Sequence, residues 1–265
     1  MSPEPPGEFQ SVPDFLLVLP SFKESRRLPK YLAALVETLA LAPFTTRVLV
    51  VDDGSPAGEQ RALADAVAPC QRGNCSVCPP LLRPGNGRKG DAILEGWSSA
   101  ASRWLAFADA DGATSAEEVR RVLGDIQSGD PGGSAAYFAV RLTKGPRRVL
   151  RSLPRRIASR SFCMLASLAL RTAPMDFQCG FKVIPGRVLP LVRGRLEGRG
   201  FCFDPALLLA LRGQGVPVNQ VPIDWSDKPG GTVSAWRNGP GMALGLLRLS
   251  LGGARSRSSG AACPR

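Results

Sequence analysis

From Phe15 to Val140 the chain repeats one pattern: a short apolar run, a turn of acidic or small residues, then a stretch with helical spacing. Phe15 to Leu19 is apolar and ends at Pro20, after which Leu28, Tyr31, Leu32, Leu35 and Leu39 recur at helical intervals. Val48 to Val51 runs into Asp52, Asp53, Gly54 and Ser55, followed by an Ala-rich stretch from Ala57 to Ala68 with high helix propensity. Pro80 to Leu82 is a weak third strand, Gly85 to Gly90 a turn, Asp91 to Ala101 a helix, and Trp104 to Ala108 a fourth strand. Ser115 and Glu118 have the spacing of a capping box opening a helix to about Gln127, and Ala135 to Val140 reads as a fifth strand. Alternation of this kind, with polar residues gathered where strands end, predicts an α/β fold whose largely parallel sheet is covered by helices on both faces. Ligands of such sheets bind at the carboxyl ends of the strands.

The second half is less regular. It offers a basic segment, a helix near Arg155 to Arg171, a strand from Gly180 to Ile184, a helix near Asp204 to Arg212 and a strand from Val216 to Ile223. No repeat or linker divides the chain, so one domain over residues 15–240 is expected, with a nucleotide-binding half at 15–114 and an acceptor half at 115–240. Residues 1–14 are Pro-rich and acidic, unlike a targeting peptide, and read as a disordered leader. Residues 241–265 form a short apolar and then basic tail. The longest nearly unbroken apolar run, Phe162 to Leu170, falls short of the ~18 residues that suggest a membrane span. A cytoplasmic protein, peripheral at the membrane and with reduced thiols, is the expectation.

The chain of 265 residues contains no histidine, so the commonest general base and nitrogen metal ligand are missing and carboxylates must do that work. Asp109 and Asp111 flank Ala110 directly after an apolar strand, where nothing apolar is gained. Two hard oxygen ligands so placed suit a Mg²⁺ or Mn²⁺ shared with a diphosphate. An isolated Asp-x-Asp more often caps a helix or lies solvated on a loop. Here Asp52 and Asp53 end a strand one βα unit earlier, where a carboxylate can accept hydrogen bonds from a base or ribose hydroxyl, and two acidic strand ends make one pocket.

Several ordered elements resemble glycosyltransferase family 2, in particular the polyprenyl- and dolichyl-phosphate sugar synthases. They are Leu19-Pro20-Ser21-Phe22-Lys23-Glu24, Val50-Val51-Asp52-Asp53-Gly54-Ser55 and Asn86-Gly87-Arg88-Lys89-Gly90. The Asp109-to-Thr114 turn and the Asp176-Phe177-Gln178-Cys179-Gly180-Phe181-Lys182 string look most like dolichyl-phosphate β-glucosyltransferases and their bacterial relatives. Phe203-Asp204 and Pro222-Ile223-Asp224-Trp225 follow in the family's order. The resemblance implies a GT-A fold with a Rossmann-like sheet. It implies that Pro20, Glu24 and Asp53 (beside Asp52) hold the nucleoside, that Asp109 and Asp111 handle metal and diphosphate, and that Lys89 lies near the donor. It brings Asp176 and Gln178 to the sugar or metal, Gln178 having a structural amide as its alternative. The implied donor is UDP-glucose, with GDP-mannose the competing choice.

From Arg141 to Arg160 eight basic residues stand without an acidic one: Arg141, Lys144, Arg147, Arg148, Arg151, Arg155, Arg156 and Arg160. Arg forks bind phosphate and basic surfaces favour anionic leaflets, so a polyprenyl-phosphate acceptor held by Arg148, Arg151 and Arg156 at an anionic membrane surface is expected. Ile157, Ser161, Met164, Leu165 and Leu168 then recur at helical spacing, as a core face more readily than an interfacial one. A phosphomonoester acceptor also suits the missing histidine, because its second pKa of ~6 leaves it ionised without a base. Direct attack on the anomeric carbon would invert an α-linked donor to a β-linked product. A sugar-nucleotidyl transferase is a competing enzyme reading, but Pro20 to Arg26 holds no Gly-rich phosphate loop. The formal charge of +12 would also suit a nucleic-acid-binding protein, whose ligand the paired Asp turns would repel, so nucleic acid is not an expected partner. Cys70, Cys75 and Cys78 are spaced like an iron–sulfur loop without a nearby fourth cysteine, and read better as a surface insertion.

Overall fold

The computed structural model describes residues 12–84, 88–141, 149–150, 153–172, 175–196 and 200–228, with 245, 246 and 249. Strands β1 (Phe15–Ser21), β2 (Thr46–Asp52) and β6 (Trp104–Ala108) form the parallel centre of the sheet, with β1 between the other two. Beyond β2 lie β5 (Leu81–Leu82) and β4 (Cys75–Val77), both parallel to it, and β3 (Cys70–Arg72), antiparallel to β4 at the edge. On the other side β9 (Phe181–Pro185) runs antiparallel between β6 and β7 (Ala136–Val140), and β10 (Val218–Pro222) closes that edge parallel to β7. A separate pair joins β8 (Val149–Leu150) to β11 (Trp225–Ser226).

The expected parallel sheet is thus interrupted by β9, because a strand entering from the loop after α5 (Leu153–Leu170) meets β6 head to tail. The stretch from Cys70 to Cys78, expected as a surface insertion, forms a hairpin at the sheet edge, with β3 exposed and the β4 residues buried against β2. Residues 12–14 join the fold, since the Asp14 and Thr45 backbone N–H groups each donate 2.9 Å bonds to the other's side chain. The rest of the leader lies outside the described residues.

Every second residue of β1 faces a different core. Phe15, Leu17 and Leu19 pack with α1 (Leu28–Ala40) and α4 (Ala116–Gly129), whereas Leu16 and Val18 pack with α3 (Lys89–Ser98), α6 (Leu189–Leu196) and α7 (Phe203–Gly213). A strand covered on both faces needs an unbroken apolar run, which is why β1 does not alternate. Helix α2 (Ala57–Ala66) is mostly exposed and buries Leu63 alone. Ser115 caps α4, its Oγ accepting the Glu118 N–H at 3.3 Å, as the capping-box spacing requires.

Two apolar stretches behave differently from expectation. Met164, Leu165 and Leu168 of α5 are 62%, 61% and 69% exposed, so the stripe taken as a core face points to solvent. In the tail, Leu246 and Leu249 are buried in the second core, so part of it folds back onto the domain. None of the described helices is long and apolar enough to cross a membrane.

Candidate active site

Because β1, β2 and β6 are adjacent and parallel, the turns that follow them open on one edge of the sheet. The first two are stitched together: the Lys23 N–H donates to Ser55 Oγ at 2.8 Å and the Asp53 N–H to the Ser21 carbonyl at 2.7 Å. Lys23 adopts φ +57°, unusual outside glycine and a mark of a constrained turn. Glu24 is gripped by the fork of Arg27, with Nε 2.7 Å from Oε2. Pro20 stands half-buried beside Val51 in the β1–β2 pair.

The two carboxylates after β2 have separate tasks. Asp52 is 1% exposed, and its Oδ2 accepts the Ser55 N–H and the Gln60 amide, each at 2.8 Å. It builds the turn rather than facing the cleft. Asp53 lies at the rim, where Arg83 Nη1 approaches its Oδ1 at 2.7 Å. Burial pushes its carboxyl up to about 6 against the opposing pull of Arg83. Arg83 is itself steadied by Glu95 at 2.7 Å. Nothing in the spacing of Arg83 marks it beforehand.

After β6, Asp109 keeps a side chain 39% exposed and contacts the Lys89 ammonium at the first turn of α3. Its N–H donates to the Gly180 carbonyl at 2.8 Å, and a Cβ on Gly180 would lie 1.8 Å from its Oδ2. Glycine is therefore required beside this carboxylate. Asp111 Oδ1 accepts the Ala113 N–H at 2.9 Å in a turn where Gly112 adopts φ +71°. Burial, and then the charge of Asp109, push the Asp111 carboxyl above its ordinary range. Tyr31, which packs beneath Gly112, has a buried hydroxyl without a hydrogen-bond partner and a pKa raised by burial and then by Asp111. Two hard carboxylates in mutual repulsion, one already facing a cation, fit a divalent ion, as the Asp-x-Asp spacing anticipates. The described residues hold no cluster of three or more candidate ligands, so ligand oxygens would have to complete the shell.

The 176–182 string forms the neighbouring wall. Asp176 accepts from Arg141 through Nε and Nη2, both at 2.6 Å, and from the Arg141 N–H at 3.1 Å. These bonds hold its carboxyl below the usual range despite burial. Arg141 is thereby removed from the expected basic surface. It lies inside the protein with Trp225 5.2 Å from its guanidinium, and Glu118 fixes that segment by accepting the Asp224 N–H at 3.0 Å. Gln178 sits half-buried on the same turn, its N–H donating to Asp176 Oδ1 at 3.2 Å.

Lys182 is fully buried. Its Nζ donates to the Cys179 carbonyl at 2.6 Å, lies 2.7 Å from Asp204 Oδ1, and sits 5.5 Å from the Phe107 ring and 5.2 Å from that of Phe138. Lys89 approaches the same Phe107 ring at 5.2 Å, so the pairs Lys89–Asp109 and Lys182–Asp204 share one aromatic support. A lone charge inside the apolar strand Phe181-Lys182-Val183-Ile184 was the available signal for this residue. Of the expected acceptor residues, Arg148 and Arg151 lie outside the described residues, and Arg156 stands in α5 with its side chain outside them. Asn86 and Gly87 also lie outside.

Known proteins resemble this chain in sequence and in fold. A dolichyl-phosphate beta-glucosyltransferase of Trichomonas vaginalis is 26% identical over 241 residues, covering 88% of this chain and 72% of that protein. The dolichyl-phosphate beta-glucosyltransferase of Mus musculus is 26% identical over 243 residues, covering 89% and 74%. Among solved structures, glucosyl-3-phosphoglycerate synthase from Mycobacterium tuberculosis, in complex with Mn²⁺, UDP-glucose and phosphoglyceric acid, superimposes with a TM-score of 0.58 at 13% identity. That alignment covers 91% of this chain and 80% of that one. The shared fold is GT-A. Residues 16–185, which carry both acidic strand ends and the 176–182 string, match Glycosyl transferase family 2, and the chain belongs to that family.

Proposed function

We propose that the protein moves glucose from UDP-glucose to a polyprenyl or dolichyl phosphate with inversion, giving a β-linked lipid phosphate sugar. The observation that carries this reading is the placement of Asp53 and the Asp109–Asp111 pair on one edge of the sheet, separated by the width of β1. A nucleoside at the first and a diphosphate at the second span that edge. The two beta-glucosyltransferase relatives and the UDP-glucose complex of the structural neighbour support the choice of donor and acceptor. Family membership sets aside nucleotidyl transfer and nucleic-acid binding as readings of the site.

In this reading Pro20, Glu24 and Asp53 line the nucleoside, with Asp52 and Arg83 fixing the position of Asp53. Asp109 and Asp111 would hold Mg²⁺ or Mn²⁺, which when bound supplies positive charge to the departing diphosphate. Lys89, already beside Asp109, adds a second positive charge at the same place. Asp176 acts through Arg141 as a positioning residue for the turn that presents Gln178 to the sugar. An acceptor phosphate oxygen, ionised at neutral pH, attacks the anomeric carbon as the bond to UDP breaks and UDP leaves with the electron pair. Arg148, Arg151 and Arg156 are assigned to that acceptor phosphate.

The metal half is tested by following UDP release from UDP-glucose with a short-chain polyprenyl phosphate. Asp111→Ala is expected to lower the rate by roughly a thousandfold, in line with removal of a preorganised electrostatic group. Chelation should do the same to the parent protein and be reversed by Mn²⁺. Undiminished turnover after chelation would contradict the assignment.

A further inference from the structure

Helix α5 has two unlike faces. On one, Ser159 and Ala166 are buried, Leu170 joins the second core, and Cys163 Sγ lies 3.9 Å from Asp176. That face is part of the wall around the Arg141–Asp176 pair. On the other, Met164, Leu165 and Leu168 occupy one turn of surface and are each more than 60% exposed, with Ser161 and Ala169 also exposed beside them. Three large apolar side chains left in water on one helix face call for a cover, since single exposed residues are ordinary but a contiguous patch is not.

The charges around the patch choose the cover. Arg160 and Arg171 are exposed at either end of it. Seven basic residues and no acidic one lie in the sequence from 144 to 160, four before α5 begins and three (Arg155, Arg156 and Arg160) within it, and the whole chain carries a formal +12. An apolar stripe bordered by cationic side chains is the pattern of a helix lying in the headgroup layer of an anionic bilayer, with the stripe among acyl chains and the arginines at phosphate level.

We infer that α5 docks the protein on an anionic lipid surface through Met164, Leu165 and Leu168. The helix so placed sets the Asp176 wall of the site at headgroup depth, where the phosphate of a polyprenyl lipid resides. Only this orientation toward the acceptor rests on the proposed function; the docking stands without it.

The test is sedimentation with vesicles of phosphatidylglycerol and phosphatidylcholine, and with phosphatidylcholine alone, comparing the parent chain with a Met164→Gln/Leu165→Gln/Leu168→Gln variant. Because the three side chains are exposed, the variant should fold with an unchanged thermal midpoint. Leu191→Gln, a 57% exposed position elsewhere, serves as control. The parent and the control are expected to bind the mixed vesicles, and the triple variant at least tenfold more weakly, while retaining its rate on a water-soluble short-chain acceptor phosphate. Equal binding by parent and triple variant, or no binding by the parent, would overturn the docking. So would a parent dimer that the substitutions dissociate while vesicle binding persists, since a second copy would then be the cover. Retained docking without transfer to any lipid phosphate would instead count against the proposed function.

Discussion

Gly180 has no functional group, yet it decides where the Asp109 carboxylate can stand. A methyl at this position would overlap Asp109 Oδ2, and the carboxylate cannot retreat without leaving Lys89. Gly180→Ala is therefore expected to cost at least a hundredfold in kcat, because misplacement of a charged group by about 1 Å is felt steeply in transition-state stabilisation. Steady-state kinetics beside a melting curve checks this; a variant with parental kcat would show that Asp109 has another productive position. Asp53 gives a pH signature at the same scale. Its folded carboxyl titrates at about 6, above its value of 3.8 in the unfolded chain, so between those values the folded state holds the extra proton. The contribution of Asp53 to stability is thus greatest below 3.8 and is lost as pH rises toward 6. Under the proposed function binding runs the other way, since the ionised Asp53 carboxylate would be the acceptor for ribose or base. UDP affinity should rise as pH passes through about 6, and Asp53→Asn should flatten both the stability slope and the affinity slope. Calorimetric titration and thermal melts across that range report the two separately.

At the scale of elements, β9 explains much of what the sequence conceals. The paired acids after β2 and β6 are legible because an apolar run ending in carboxylates marks a strand end locally. The work of Gly180, Lys182 and Asp204 depends on β9 entering antiparallel between β6 and β7, and local periodicity does not encode a partner strand. The same limit applies to α5, where spacing reveals an apolar stripe but not which side of the helix the domain covers. Helix α6, Leu-Pro-Leu-Val-Arg-Gly-Arg-Leu, is short and interrupted by Pro and Gly, so its sequence argues for a turn until Leu189, Val192 and Leu196 are seen in the core. Lys182→Met tests the element directly. Removing one partner of a buried pair should destabilise the protein by about 3–5 kcal/mol, and adding Asp204→Asn should recover part of that loss. Chemical denaturation of the single and double variants measures both; additive losses would mean that the two residues are energetically independent.

For the whole molecule, the central strand order puts β1 between β2 and β6, so the chain leaves β1 first toward one side of the sheet and later returns on the other. Open α/β sheets bind their ligands at such a reversal, and in the proposed function the cleft there takes the nucleotide sugar. The absence of histidine from all 265 residues then bears on the acceptor, since a nucleophile that arrives already ionised needs no protein base. Transfer to a lipid phosphate is the claim on which these scales converge. Purified protein with Mn²⁺ and undecaprenyl or dolichyl phosphate, given radiolabelled UDP-glucose in one reaction and GDP-mannose in another, puts it to the test. The account predicts label from UDP-glucose alone, in an organic-extractable lipid that releases its sugar in mild acid. Label from GDP-mannose alone, or transfer only to an acceptor without phosphate, would contradict it.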